Sequence, residues 1–389
     1  MYLMDNLRDF FKKGDVLLLT LCVCANLFGI VLVYSATRFD PSLHNYPLKQ
    51  AIFLCLGIVI YMFITFVDVE FLLEKWWKVF LVVGLAVILL LLPFGRDDGT
   101  GNRSWVFLPG LPTGFQPGEM AKLAYICVLA WLIHHQRSFG VSRFVSIAKY
   151  VALTFLFAGL LAAVSGDYGM VLVYLFIFVI MAWVGGVQKR WFLGVGIPLV
   201  SCVVLLWNFV LPHTKFWTDY RIMRFRVIFD HDLDPLGRGW QQSRSLLAIG
   251  SGQITGMGYL NGKQTQSALS QTLPARHTDF IFAVCGEELG LLGCCAVLAL
   301  LFAIILRCVW VSRQAKSHMS AYIAMGIAAM LMIQTILNVG MCLYMAPVIG
   351  LTLPFFSYGG SSTITLFVAM GMVSGIKMRP LPSWLKDRN

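Results

Sequence analysis

The sequence predicts an all-α polytopic membrane protein of about ten transmembrane helices, with a large extracytoplasmic loop between the seventh and eighth. Three observations predict this. Hydrophobic residues make up 58% of the 389 residues and charged residues only 13%, about half the charge that a soluble surface carries. Apolar stretches of roughly 17–25 residues, the length that crosses a bilayer as a helix, recur along the whole chain. Basic residues crowd alternate connections, as membrane topology requires.

In order, the spans are expected near 16–36, 51–67, 78–93, 118–135, 145–164, 169–186, 191–211, 280–306, 320–345 and 361–377. The first follows Arg8, Lys12 and Lys13 with no small-residue cleavage site behind it, so it reads as a retained span rather than a removed signal peptide. One set of short loops and tails holds Lys75, Lys78, Arg137, Arg143, Lys149, Lys189, Arg190, Arg307, Arg313, Lys316, Lys377, Arg379, Lys386 and Arg388, besides those first three. The opposite set holds only Arg38, Lys49, Arg96 and Arg103. Both termini are therefore expected in the cytoplasm. The net charge of +11 is a topology signal spread over many loops, and no nucleic-acid partner is implied. The ten cysteines fall almost wholly inside spans and lack CxxC or Cys/His spacing, which speaks against a disulfide framework or a zinc site. A single membrane domain, 1–389, is expected.

Two outer connections have unusual content. Residues 94–117 are rich in Gly and Pro around Trp105 and Phe107, and are expected to fold back on the membrane surface. Residues 212–279 are long for a loop, which marks function. They alternate Arg221, Arg224 and Arg226 with apolar residues, and then show amphipathic helical spacing over 240–249 with Trp240, Leu246, Leu247 and Ile249 on one side. Gly-rich 250–262 reads as a tight, backbone-exposing loop.

The chemistry-bearing groups concentrate where 212–279 enters the eighth span. Asp279 reads two ways: a helix N-cap or first-turn acid, or a general base at the mouth of a cavity. His277 is a second acid–base group or a hydrogen-bonding loop residue. Glu287 and Glu288 follow on an apolar helix, where carboxylates are costly and functional by default. Glu119 and Lys122 share a helix face at i, i+3 spacing, either as an interfacial ion pair or as the lining of a polar cavity that offers Lys122 to an anionic head group. Asp167 is either turn chemistry or part of a site. Arg221, Arg224, Arg226, Arg238, Arg244 and nearby Arg276 suit bidentate phosphate binding as a set, and a solvated loop face singly. Trp105 is an interfacial aromatic or a sugar-stacking platform. The segment Leu353–Ser362, a Pro and then a Gly-rich break before an apolar span, suggests a re-entrant element, since irregular backbone at membrane depth must line a cavity or be buried in protein.

The segments NRSW (102–105), FQPGEMAK (115–122), QQSRSLLAIGSG (241–252), LPARHTDFIFAVCGEELG (273–290) and NVGMCLYMAPVIGLTLPFFSYGGSS (338–362) together resemble the SEDS family (shape, elongation, division and sporulation). The likeness runs over essentially the whole chain, and NGKQTQ (261–266) is more similar to its elongation-type members. The resemblance implies a peptidoglycan glycosyltransferase of the bacterial plasma membrane. It would polymerise lipid II at the outer face with undecaprenyl diphosphate as leaving group, beside a class B penicillin-binding protein and other elongation-complex membrane proteins. Asp279 falls on the family's essential aspartate, and Trp105 and Lys122 on positions the family uses. The matched segments add Glu119, Gln242, Ser243, His277, Thr278, Ser357 and Tyr358 as candidate substrate contacts, next to Arg221 and Arg224. The chain departs from the family at Ala275, Gly166, Gln253 and Met257; the first of these removes an acid, so no accessory acid is carried over. No metal-ligand set is visible, and a divalent Mg or Mn ion on the diphosphate is an expectation only. The rival functions are a flippase for the same lipid, with Glu287 and Glu288 on a polar path, and a division- or sporulation-type paralogue.

Overall fold

The computed structural model describes residues 10–96, 103–107, 114–210, 213–214, 226–227, 238–267 and 272–379. Eleven main helices are described: α1 (Val16–Thr37), α2 (Tyr46–Phe66), α3 (Val69–Leu89), α4 (Pro117–Gln136), α5 (Phe144–Ser165), α6 (Tyr168–Val184), α7 (Lys189–Leu205), α8 (Arg238–Gly252), α9 (Ile281–Gln314), α10 (His318–Cys342) and α11 (Gly360–Met378). Seven helical stretches are long and apolar enough to cross a membrane, and α6 is apolar but shorter. The ten expected spans each meet a helix. The amphipathic stretch in the long connection is α8. Outside the helices, Gly95–Arg96 and Trp105–Val106 form a two-residue antiparallel hairpin, β1–β2, closed by a bridge from Val106 to Phe115.

Local chemistry explains several boundaries. Asp15 caps α1 by accepting from Leu18 N at 3.3 Å, and Asp167 caps α6 by accepting from Met170 N at 3.0 Å. Expected boundaries failed where charges sit inside a helix. α3 begins at Val69 rather than 78, and carries the basic, aromatic run around Trp76 through a kink. α9 continues past Arg307 to Gln314, because Arg307 points to an intramolecular partner.

Between helices in lipid there is no water to expel, so close packing of small residues does the joining. α2 and α11 meet this way: a Cβ on Gly57 would lie 2.4 Å from the Phe367 ring, and one on Gly360 2.5 Å from that of Phe53. α10 sits centrally, against α4, α6 and α9. α7 is the outlier, with Leu193 and Ile197 exposed and Pro198 inside it.

Two antiparallel helices set the height of the bundle. At one end Asp15 receives Arg307 at 2.8 Å and Lys377 at 3.3 Å. At the other, Ser35 donates to Glu288 at 2.6 Å. From Asp15 to Ser35 α1 rises about 30 Å at 1.5 Å per residue, the thickness of the hydrocarbon layer. Glu287 and Glu288 thus lie at the end of α1 opposite Asp15, about one hydrocarbon thickness from it. α9 makes this possible by breaking at Gly290 (φ 66°, ψ −160°). Its first turns run across the end of the bundle, from α10 toward α1, before it descends.

Candidate active site

The break at Gly290 frees backbone groups that hydrocarbon cannot satisfy. The loop after α8 supplies the partners: Met257 N and Gly258 N donate to the carbonyls of Glu287 and Glu288, while Leu291 N and Leu292 N donate to Gln253 O and Ile254 O. The approach needs glycine on both sides, since a Cβ on Gly256 would stand 2.1 Å from Glu288 O and one on Gly290 2.3 Å from Gly256 N. The two carboxylates hold the next stretch of the same loop. Glu287 accepts from Gln264 N, Thr265 N and Thr265 Oγ1 at 2.6–2.7 Å. Glu288 accepts from Ser35 Oγ and Gln266 Nε2. Arg276 closes the clamp from the other side by donating to Thr265 O and Ser267 O. Glu287, Glu288 and Arg276 therefore fasten this loop.

This scaffold presents the turn that carries Asp279. The helix N-cap is Phe280, without a side-chain cap bond, which places Asp279 one residue before the cap. Three consecutive carbonyls of the turn are held from one side: His277 O accepts from Tyr358 N at 2.9 Å, Thr278 O from Ser357 Oγ at 2.5 Å and Asp279 O from Asn338 Nδ2 at 2.9 Å. Within the turn, Thr278 N and Phe280 N both donate to Ala275 O. Asp279 is half-buried, and a Cβ on Gly350 would lie 3.8 Å from its Oδ2.

The donors come from the break between α10 and α11. Residues 343–359 are non-helical and mostly buried. Phe355, at φ +66°, reaches the middle of α1, where Asn26 Nδ2 donates to its carbonyl at 3.1 Å. The segment is thus re-entrant, buried in protein as irregular backbone at this depth must be. Gln50 anchors its end by accepting from Gly359 N and donating to Thr363.

An aromatic group borders Asp279. Tyr358 stacks on Tyr46 with ring centroids 4.1 Å apart, and His277 meets Tyr46 edge-on at 5.4 Å. Lys49 Nζ lies 5.3 Å from the Tyr46 ring centre. Burial first, and then the neighbouring Arg276 charge, push His277 down to about 4, so its imidazole is neutral at pH 7. Asp40 is half-buried, and hydrogen bonds from Ser42, with smaller help from Arg276 and His277, hold its carboxyl below the usual range.

The other candidates divide. Lys122 is fully buried and donates to Glu119 at 2.8 Å, with Gln334 Nε2 on the same carboxylate at 3.3 Å. The pair lies within α4 and Gln334 ties it to α10, so the buried Lys122 is not offered to a head group. Gln242 is buried and donates to Met341 O and Ala346 O, which pins α8 to the end of α10 instead of touching substrate. Ser357 is likewise buried, accepting from Leu353 N while donating to Thr278 O, and this commitment corrects its reading as a substrate contact. Ser243 is exposed on α8. Thr278 Oγ1 donates weakly to Ala275 O. Trp105 is half-buried in the hairpin. That hairpin is tied to the α5–α6 turn by Arg103 N donating to Ser165 O and by Ser104 Oγ donating to Asp167. Arg221 and Arg224 lie outside the described residues. Among the described residues no group of three or more His, Cys, Asp or Glu side chains could hold a metal ion. Sequence reasoning missed Asn338, Tyr46 and Lys49. Lys49 carried a signal as one of the few cations on the sparsely charged side, and Asn338 as the first residue of the matched segment 338–362.

Residues 15–380 match the FtsW/RodA/SpoVE family profile, described as cell cycle protein. A "probable peptidoglycan glycosyltransferase FtsW" of Trichlorobacter lovleyi is 31% identical, over 97% of this chain and 98% of its own length. The "peptidoglycan glycosyltransferase MrdB" of Escherichia coli is 31% identical, over 95% and 96%. Among solved structures, a chain from work described as "Structural coordination of polymerization and crosslinking by a peptidoglycan synthase complex" superposes with TM-score 0.77 at 29% identity, over 94% of this chain and 97% of that one. The crystal structure of the rod shape determining protein RodA of Thermus thermophilus gives 0.66 at 27% identity, over 94% and 96%.

Proposed function

This chain belongs to the FtsW/RodA/SpoVE family of cell cycle proteins, and on that premise we propose how its geometry serves glycosyl transfer. The protein is a multi-pass membrane enzyme, a peptidoglycan glycosyltransferase. The substrate proposed is lipid II at the outer face of the plasma membrane, with both termini in the cytoplasm, and with growing glycan as donor. The observation that carries the assignment is Asp279, half-buried on a turn whose backbone is fixed at three successive carbonyls.

In the proposed step the acceptor sugar's 4-hydroxyl attacks the donor's anomeric carbon. The hydroxyl proton passes to the Asp279 carboxylate, the new C–O bond forms with inversion, and the bond to undecaprenyl diphosphate breaks with its electron pair on phosphate. One base suffices because the leaving group is already stable, unlike glycoside hydrolysis with its paired carboxyls. Charge develops on the diphosphate and calls for a cation. Lys49 suits that role: it lies beside Tyr46, which touches His277. Arg221 and Arg224 remain in the proposal by sequence alone. Among the described residues no group of three metal ligands occurs, and the Mg or Mn ion in this proposal would be one bound to the diphosphate. A class B penicillin-binding protein is the proposed partner, supported by the similarity to a chain of a peptidoglycan synthase complex.

The test is lipid II polymerisation by the purified protein with that partner. Asp279→Asn is expected to lower turnover by about 10²–10⁴-fold, the contribution of a positioned base, at unchanged thermal stability. Wild-type polymer from the variant would remove Asp279 from the mechanism. Lipid translocation into liposomes, with no polymer from either protein, would favour the flippase.

A further inference from the structure

We propose that Asn338 and Ser357 are positioning residues that aim the Asp279 carboxylate by holding the backbone beneath it, an inference that rests on Asp279 being the base. Asn338 is fully buried on α10 and spends both amide protons on carbonyls of separate segments, Asp279 O at 2.9 Å and Leu351 O at 2.7 Å. Its Oδ1 is buried and has no hydrogen-bond partner. Leaving such an atom unpaired is costly, and Asn338 keeps that cost while joining two separate segments. Ser357 repeats the pattern, donating to Thr278 O at 2.5 Å while accepting from Leu353 N at 2.8 Å. Each side chain links the Asp279 turn to the re-entrant segment.

The consequence is geometric. With the carbonyls of 277, 278 and 279 fixed in sequence and Thr278 N and Phe280 N bonded to Ala275 O, the turn has little freedom to rotate. The Asp279 side chain then leaves the backbone in one direction. A base displaced by about 1 Å loses on the order of 10²-fold in rate without losing substrate affinity.

Asn26 supplies the comparison. It is fully buried, donates to Phe355 O in the same re-entrant segment, and has an unpartnered Oδ1 of its own, yet its hydrogen bond is not to the Asp279 turn. Asn338→Ala, Ser357→Ala and Asn26→Ala would be purified as full chains with the partner, and assayed for polymerisation alongside thermal unfolding. The expected result is a roughly 10–100-fold drop in kcat for the first two, with KM within about threefold. Asn26→Ala should lose comparable stability while its kcat stays within about threefold of wild type. Ser357→Thr, which keeps the hydroxyl, should recover most of the turnover lost in Ser357→Ala. Ser357→Ala removes a single oxygen and carries the test should Asn338→Ala not fold. Losses that follow unfolding temperature equally in all three variants, or that fall on KM, would overturn the proposal. Asp279→Asn in the same series separates the two readings. If it retains turnover, the base assignment fails. If it is inactive while Asn338→Ala and Ser357→Ala track Asn26→Ala, only the positioning role fails.

Discussion

A neutral imidazole two residues from a proposed base restricts what His277 can do. Burial and Arg276 bring it to about 4, against about 6.5 for an ordinary histidine, so at pH 7 it carries no charge for a diphosphate. The sign of the stability effect follows: between about pH 4 and 6.5 the unfolded chain binds more protons than the folded one, so stability rises with pH across that window and is lost on acidification. His277→Gln should therefore flatten the thermal unfolding profile from pH 4.5 to 6.5 relative to wild type, while an unchanged profile would mean that the native imidazole titrates normally. Lys49→Ala is expected to lower kcat by about tenfold or more if it faces developing charge, with Lys49→Arg retaining more; equal activity of all three proteins would exclude Lys49. At this scale the sequence was partly legible. Asp279 stood out by its position, and Lys49 was visible only as an exception to the charge asymmetry between loops. Asn338 was visible only as the first residue of a matched segment, because the role of an amide inside an apolar helix comes from carbonyls far away in the chain.

The elements show why helices were easier to read than their breaks. Apolar runs located the seven helical stretches long and apolar enough to cross a membrane, since crossing hydrocarbon forces a long unbroken pattern. The discontinuity at Gly290 was invisible for the opposite reason: the apolar pattern continues through it, and the partners of its freed backbone groups lie in 253–258. Glu287 and Glu288 read only as carboxylates on an apolar helix for the same reason, and their partners, a loop and the end of α1, are tertiary. Glycine substitutions test the break. Gly290→Ala places a Cβ 2.3 Å from Gly256 N on backbone at φ +66° and ψ −160°, a region nearly exclusive to glycine. Strain and overpacking together should cost about 2–5 kcal/mol, seen as a large fall in unfolding temperature. Gly159, within α5, has nothing within 4 Å of its would-be Cβ, and Gly159→Ala should be neutral or stabilising by up to about 1 kcal/mol. Equal effects from the two substitutions would contradict the tight crossing.

Across the whole molecule, polar contacts at the two ends of α1 fix the register of the bundle against the membrane. Asp15 is fully buried and holds Arg307 and Lys377, while Ser374 Oγ accepts from its backbone N–H and Tyr61 donates to its carbonyl. Four helices therefore meet at one residue, α2 through its carbonyl and α9 and α11 at its carboxylate, about 30 Å from the Ser35–Glu288 contact. The sequence showed these basic residues only as a count for topology, which gave the sidedness but not the ion pairs. Removing one partner of a buried ion pair costs about 3–5 kcal/mol, because the other charges stay behind without compensation. Asp15→Ala should accordingly lower the unfolding temperature in detergent far more than Asp40→Ala, since Asp40 is only half-buried and its carboxylate bonds within its own turn. The same end of the bundle should face the cytoplasm. A fluorescent protein fused after Asn389 should fold and emit, and alkaline phosphatase fused at the same place should remain inactive. The reverse pattern would invert the bundle and put Asp279 on the side away from the proposed substrate. Because sidedness and the Asp15 cluster are measured independently, a stable bundle of inverted orientation would refute the site without touching the fold.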